Sequence, residues 1–385
     1  MKISRTATVF IFAAVFCLFL ALFLFKVQYK MADFEVNYKA GNRILMGETL
    51  YRTVDEHWQF KYSPFCALLY LPLSLLPLPV AKGAWFFIVL GSCGFLLGGS
   101  WRLIDSGRKK VVLLLALPAL ILVRFLLREI ELGQVNALIT AILLGMTWLL
   151  WRDETHPSNQ KKIFAGMLGG LAAAMKPYAL IFWPYYILKK KWLTLLSAAL
   201  FLAVSIILPA AFFGFSGNWT VHGEWLSSLS GSTPHLLSSQ DNVSLLACFV
   251  KWLGNEKLSL TLYAAAGILA AFLVLLFIRK GKHQARNLLA DSALLLLLIP
   301  LLSPLGWDYT FLSSCLAVTL ILYYFPEFSK AGRIILIADF LFIGLSFYDL
   351  LGRRAYATFM NLSVLTVNFL VLAGYLFYLR IKGRA

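Results

Sequence analysis

The stretch Ile163–Leu188, IFAGMLGGLAAAMKPYALIFWPYYIL, decides how the rest of the chain is read. It is apolar over about 26 residues, longer than the ~20 that cross a bilayer as one helix. Lys176-Pro177 breaks it near the middle. Proline costs a helix a hydrogen bond, and a lysine beside it is expensive in an apolar setting. Lys161-Lys162 precede the stretch and Lys189-Lys190-Lys191 follow it. Both basic flanks belong on the cytoplasmic side of a membrane. The pattern therefore predicts two short helices that enter from one side and meet at Lys176-Pro177 on the other.

The same character runs through the whole sequence. Of 385 residues, 60% are hydrophobic and 14% charged, and the mean hydropathy is +0.78, whereas soluble domains carry about 45–50% apolar and about 25% charged residues. Repeated apolar runs of membrane length predict an all-α polytopic membrane protein. No polar stretch is long enough to fold alone, so residues 1–385 read as a single domain. The net charge of +17 gathers in short loops: Arg108-Lys109-Lys110, Lys189–Lys191, Arg279-Lys280 with Lys282, and the tail Arg380, Lys382 and Arg384. This positive-inside pattern replaces a nucleic-acid reading, and the expected partner is the lipid bilayer. Anionic headgroups or a phosphorylated substrate are further partners for such charge. Cys17, Cys66, Cys93, Cys248 and Cys315 are scattered and read as small buried hydrophobes. Met1–Phe25 resembles a signal peptide, with Lys2 and Arg5 ahead of an apolar run. No small-x-small site follows it, so it reads as a retained first span.

With the N-terminus inside, further spans are expected at about 8–25, 80–101, 110–127, 135–151, 192–213, 258–278, 287–302, 309–325, 333–348 and 359–379. Together with the pair in 163–188 this makes about twelve transmembrane helices with both termini cytoplasmic. Pro64–Pro79, interrupted by Pro72 and Pro77, reads as a short or surface-lying helix. The outer-face loops are then about 26–63, 128–134, 214–257 and 303–308, the first carrying short surface helices. Apolar length and Lys/Arg placement alone produce this assignment. It nevertheless collects on one face the residues that are costly near a membrane, and such residues are functional candidates.

Asp33 opens the first of these segments. A carboxylate at a membrane edge among aromatics is pushed towards the range useful to a general base. On the residues alone, Asp33 reads first as a surface acid paired with Lys30 or Lys39. Glu35, Asp55 and Glu56 read as solvated loop charges. Tyr38, Arg43, Tyr51, Lys61 and Tyr62 read as interfacial anchors or as the lining of a sugar pocket. Gln134 and Asn136 lie where a turn enters a helix; they suit hydroxyl binding or simple capping, and a helix N-terminus favours anions. Arg124 and Arg128 read as snorkelling to the surface. Lys176 needs an anionic partner, a phosphate or the headgroups. In 214–257, His222, His235, Gln240, Asp241 and Asn242 gather near Trp219 and Trp225. The histidines lack metal-ligand spacing, so no metal site is expected. Trp307 and Asp308 belong to a polar break in which Asp308 is a second carboxylate or a helix cap. No GxxxxGK[ST], GxSxG or HExxH run occurs.

Several of these residues fall in a familiar order. Asp33-Phe34, Tyr38-Lys39-Ala40, Gly47-Glu48-Thr49-Leu50-Tyr51 and Phe60-Lys61-Tyr62-Ser63-Pro64 resemble the first outer loop of glycosyltransferase family 87. These are membrane enzymes of the polyprenol-phosphate-mannose-dependent α-mannosyltransferase type. The likeness continues at Gly133-Gln134-Val135-Asn136, Ala173-Ala174-Met175-Lys176-Pro177, Gln240-Asp241-Asn242-Val243-Ser244-Leu245 and Ser303-Pro304-Leu305-Gly306-Trp307. Tyr-Ser-Pro stands where the family often has Tyr-Pro-Pro.

The resemblance implies a GT-C-type fold and a polyprenyl-phosphate-sugar donor, with a lipid or glycan acceptor. It also implies an inverting, metal-independent transfer at the extracytoplasmic face, with Asp33 as base and no cofactor. One carboxylate suffices for such a transfer, because a lipid phosphate is already a competent leaving group. The leaving phosphate needs cations, for which Lys176 comes first and Arg128 and Lys61 follow. A secondary transporter is the main rival, since discontinuous helices are typical of transporters. Against it, the polar residues gather at one face and no internal repeat is visible. A lipid-linked polysaccharide polymerase or ligase is a second rival, and a non-catalytic assembly subunit a third.

Overall fold

The computed structural model describes residues 5–104, 111–280 and 285–383. Lys2, the Arg108–Lys110 loop, Lys282 and Arg384 lie outside the described residues. Regular structure within them is helical. Helix α1 (Arg5–Phe25) leads into α2 (Ala32–Met46), which turns 76° away from it. A 3-10 turn at Thr53–Trp58 and helix α3 (Pro64–Ser74) follow. The start of α3 is set locally: Ser63 Oγ accepts the Cys66 N–H at 3.1 Å, and Pro64 occupies the first turn. Met31–Pro64 is thus a folded layer, with Asp33 in the first turn of α2.

The chain continues as α4 (Leu78–Leu103), α5 (Val111–Ile121), α6 (Val123–Leu132), α7 (Asn136–Thr155) and α8 (Asn159–Met175). Lys176 is extended, and a 3-10 turn (Pro177–Ile181) then leads to α9 (Phe182–Leu188). Next come α10 (Trp192–Ile207), α11 (Ala210–Leu236), α12 (Leu245–Leu253), α13 (Glu256–Lys280) and α14 (Ala285–Leu302). A 3-10 turn (Asp308–Ser314), α15 (Cys315–Tyr323), α16 (Lys330–Gly344), α17 (Tyr348–Asn361) and α18 (Val364–Ile381) complete it.

By length and composition, three helices among the described residues can cross a membrane as single rods: α4, α13 over Glu256–Val274, and α18. Four sharply bent helix pairs raise the number to as many as seven. This is a polytopic membrane fold, but twelve full-length spans are not what the helices show. Several apolar runs are divided instead: 110–127 ends partway along α6, 192–213 breaks between α10 and α11, and 309–325 begins as a 3-10 turn. Backbone breaks at membrane depth are tolerated where neighbouring protein covers them. The segment 214–257 is also not the loop expected from its Ser, Gly and His content. Residues up to Leu236 continue α11 through a kink at Gly214, and α12 follows after a short connection.

Residues 287–301 and 308–324 are buried throughout, so α14 and α15 form the centre of the bundle against α4, α7 and α18. A helix that is apolar all round belongs in such a place. The outward faces of α10 (Leu196, Leu200, Val204, Ile207) and α13 (Ile268, Leu269, Phe272) are exposed and apolar, as a lipid environment requires. Helices α8 and α10 cross closely because Gly166 and Gly170 have no side chain. A Cβ on them would lie 2.3 Å from the Thr194 carbonyl and 2.7 Å from that of Ala198; small residues at four-residue spacing allow this approach in membrane bundles.

The two ends of the bundle differ. At one, Lys191 pairs with Glu154 at 2.8 Å, and Asp291 meets Arg380 at 3.0 Å and Lys189 at 4.0 Å. The feet of the α8–α9 hairpin therefore stand together, and its apex at Lys176 reaches the opposite end. Asp33, Gln134, Asn136, Asp241 and Asp308 gather there too.

Candidate active site

The floor of the site is made where α6 turns into α7. Gly133 takes the left-handed conformation (φ 66°) and closes α6: its N–H reaches Ile130 at 3.3 Å, and the Gln134 N–H reaches the Glu129 carbonyl at 3.0 Å. A Cβ at Gly133 would sit 2.7 Å from Phe34 Cβ, so α2 presses directly on this turn. The Gly133 carbonyl accepts the Trp85 indole N–H at 2.7 Å. The chain reverses by 120° between α6 and α7, which leaves Gln134 and Asn136 at the start of α7 beneath Asp33.

Gln134 Nε2 donates to Asp33 Oδ2 at 2.7 Å and to the Tyr309 hydroxyl at 3.0 Å. Its Oε1 accepts from the Tyr62 hydroxyl at 3.2 Å and from Asn136 Nδ2 at 3.3 Å. Asn136 Nδ2 also donates to Glu129 Oε2 at 3.2 Å, and Asn136 Oδ1 accepts the Lys176 ammonium at 2.7 Å. That ammonium lies 4.9 Å from the centre of the Tyr62 ring. The arrangement has two layers. Gln134, Asn136, Glu129 and Tyr309 are buried, while Asp33, Lys61, Tyr62, Arg128 and Lys176 above them are half-exposed.

Burial raises Asp33 from its ordinary value, against the hydrogen bond from Gln134 and the charges of Lys176, His57 and Arg128. The same partial burial pushes Lys61 down while Asp33 pulls it back up. Asp33 is therefore a carboxylate held at the edge of a low-dielectric layer, facing several cations. Lys30, one of its expected partners, pairs instead with Glu131. Glu35 meets Lys82 at 2.6 Å and Asp55 meets Arg43 at 2.7 Å, so neither is a free loop charge.

The family model of glycosyltransferase family 87 matches residues 60–304, most of the chain. The chain belongs to glycosyltransferase family 87. Among curated proteins and among solved structures nothing matches it significantly. Family 87 membership makes it a membrane glycosyltransferase. The matched span holds Lys61, Tyr62, Gln134, Asn136 and Lys176, whereas Asp33, Asp308 and Tyr309 fall outside it. It is folding that brings Asp33 and Tyr309 onto Gln134, inside the family 87 region.

A second polar cluster adjoins the first. Arg124 and Arg128, one turn apart on α6, both face the Asp308 side. Buried Arg124 pairs with fully buried Asp308 and also donates to the Tyr356 hydroxyl and the Ser346 carbonyl, each at 2.7 Å. Arg128 meets Asp241 at 3.0 Å and Asp308 at 3.7 Å. Neither arginine snorkels. Asp308 is a buried partner one residue before Tyr309, whose N–H it accepts at 2.8 Å. Burial raises Asp241, and the Asp308 charge adds to this against Arg128.

The other expected residues serve the frame. Tyr38 donates to the Leu76 carbonyl at 2.8 Å, away from Asp33. His222 contacts the Asn218 carbonyl at 2.8 Å along its own helix, and His235 is exposed on α11. Asn242 ties its loop to 303–308: it donates to the Pro304 carbonyl at 3.2 Å and accepts from the Gly306 N–H at 3.1 Å, and its backbone bridges Trp307. The Gln240 carbonyl accepts Lys251 at 3.1 Å, and burial lowers that lysine to about 8. Among the described residues no three His, Cys, Asp or Glu side chains are grouped to hold a metal ion. Glu129 and Tyr309 complete the floor without having been singled out in the sequence. The signal for Glu129 was an acid set among the apolar residues of α6; Tyr309 carried none.

Proposed function

We propose that this family 87 chain transfers a hexose, mannose first among candidates, from a polyprenyl-phosphate donor to a lipid or glycan acceptor. Transfer takes place at the extracytoplasmic face, with inversion and with Asp33 as general base, in a chain whose termini are both cytoplasmic. The observation that carries this is the pairing of half-buried Asp33 with Gln134 at 2.7 Å beside the cations Lys61, Arg128 and Lys176. Gln134 occupies Oδ2, and Oδ1 remains for an acceptor hydroxyl. As the acceptor oxygen bonds to the anomeric carbon, its proton passes to Asp33 and the bond from that carbon to the phosphate oxygen breaks on the opposite face. The departing phosphate gains negative charge, which Lys176, Arg128 and Lys61 neutralise. Tyr62 and Tyr178, half-buried with their ring centres 4.9 and 5.7 Å from the Lys176 ammonium, suit contact with the sugar, and buried Gln134 and Asn136 support them from below. The one-ended clustering of these groups favours transfer over transport, which places its ion sites near the midplane.

The deciding experiment uses purified protein in proteoliposomes with radiolabelled polyprenyl-phosphate mannose and membrane-extracted lipids and glycans as acceptors. Asp33→Asn keeps the Gln134 contact in shape but removes the base, and label transfer should fall by about a hundredfold or more. Full retained transfer would overturn the assignment.

A further inference from the structure

We propose that Glu129 is a positioning residue that fixes the direction of the hydrogen-bond chain ending on Asp33; this rests on the reading of Asp33 as the base. Glu129 is fully buried in α6 and faces the start of α7. One oxygen accepts the Ala137 N–H at 2.6 Å and the other accepts Asn136 Nδ2 at 3.2 Å. The residue preceding α7, Val135, offers no side-chain cap, so this carboxylate from the previous helix fills that role at the positive end of α7.

The chemistry of the flanking groups leaves Asn136 one orientation. Glu129 offers acceptors on this side and the Lys176 ammonium is donor-only. An asparagine between them must turn its amino group to Glu129 and its oxygen to Lys176, as it does at 3.2 and 2.7 Å. The same amino group reaches Gln134 Oε1 at 3.3 Å, which turns the Gln134 amino group towards Asp33. Polarity thus runs from Glu129 and Lys176 through two amides to the carboxylate. A donated N–H favours the ionised form of that carboxylate, the form a base needs. The other charged or titratable groups facing Asp33 are His57 from the Thr53–Trp58 turn, Lys61 and Tyr62 from the segment before α3, Tyr70 from α3, Arg128 from α6, Lys176, and Tyr309. None of them sets the orientation of Asn136 except Lys176.

Glu129→Gln tests this because it preserves shape and removes one acceptor. A carboxamide cannot accept from both Ala137 N–H and Asn136 Nδ2, so two donors must face each other somewhere along the chain. In the proteoliposome assay, kcat should fall on the order of tenfold to a hundredfold, and the acid limb of kcat/KM should move to higher pH. Glu129→Gln/Asn136→Asp pairs position 136 with both of its neighbours but sets an oxygen against Gln134 Oε1, so the Gln134 amino group turns to position 136 and away from Asp33. It should stay as slow as Glu129→Gln, with the limb still at higher pH. A folded Glu129→Gln protein with the wild-type rate and limb would overturn the proposal. So would a loss that leaves the limb in place, which would mark Glu129 as a cap alone, or a rate and limb restored by the second change, which returns no donor to Asp33. Asp33→Asn in parallel separates the two failures: if it abolishes transfer while Glu129→Gln is silent, the positioning role fails and the base stands.

Discussion

Gly133→Ala puts the link between the α6–α7 turn and Asp33 to a direct test. Alanine in the left-handed region costs about 1 kcal/mol. The larger effect is steric. The new Cβ would lie 2.7 Å from Phe34 Cβ and 3.0 Å from Met31 Cε, where carbon atoms settle at about 3.5–4.0 Å. The first turn of α2 must therefore retreat by roughly 1 Å. The Asp33–Gln134 bond, now 2.7 Å, would then pass beyond useful hydrogen-bond length. Losing a bond to a charged group removes about 1.5–3 kcal/mol, and a displacement of this size at a reacting group costs about a hundredfold in rate. Gly47→Ala is the control: φ is also +66°, but nothing lies within 4 Å of its Cβ. Both proteins are purified in detergent, thermal unfolding is followed through their tryptophans, and sugar transfer is measured. Gly47→Ala should lose about 1 kcal/mol and transfer nearly at the wild-type rate. Gly133→Ala should be somewhat less stable and transfer about a hundredfold more slowly. Equal rates in the two variants would refute the reasoning.

Two further outcomes follow from the charges. Since burial raises Asp33 and a base works ionised, kcat/KM should fall as pH drops through that raised value, above the ~4 at which an exposed aspartate titrates; a profile flat down to pH ~4 contradicts this. Arg124→Met leaves Asp308 buried against Arg128 alone, 3.7 Å away, and should destabilise the fold by about 3 kcal/mol, while Arg124→Met/Asp308→Leu should recover most of that. Unfolding midpoints in detergent measure both, and equal midpoints for the single and double variants would dismiss the pair as a structural tie.

Much of the architecture is legible because the membrane leaves few choices. Lys161-Lys162 and Lys189–Lys191 predicted a hairpin with its apex at Lys176, and Lys191, just past its second foot, pairs with Glu154 at the end of α7, just before its first. The gathering of Asp33, Gln134, Asn136 and Lys176 at one end follows from the same rule. What escapes is set by packing between distant residues. Arg124 and Asp308 stand 184 positions apart, and nothing near Arg124 distinguishes a buried partner from a snorkelling surface charge. Tyr309 carries no local mark, because its importance comes from the amide it meets. Tyr38 looked like a sugar-lining tyrosine, yet the fold turns its hydroxyl to a backbone carbonyl on another segment. The stretch 214–236 reads as loop from its polar residues, but propensity is a weak guide once a helix is held by neighbours.

The enclosed position of α14 and α15 bears on how the protein is made. Both leave the ribosome after α1–α13, yet they finish at the centre of the bundle, buried along residues 287–301 and 308–324. The helices synthesised first must keep a slot for them or part again to admit them. Until then Gln134 lacks Tyr309 and Arg124 lacks Asp308. A nascent chain halted before this pair inserts would carry Asp33 without its finished support, and with Asp33 as the proposed base such a chain would be idle.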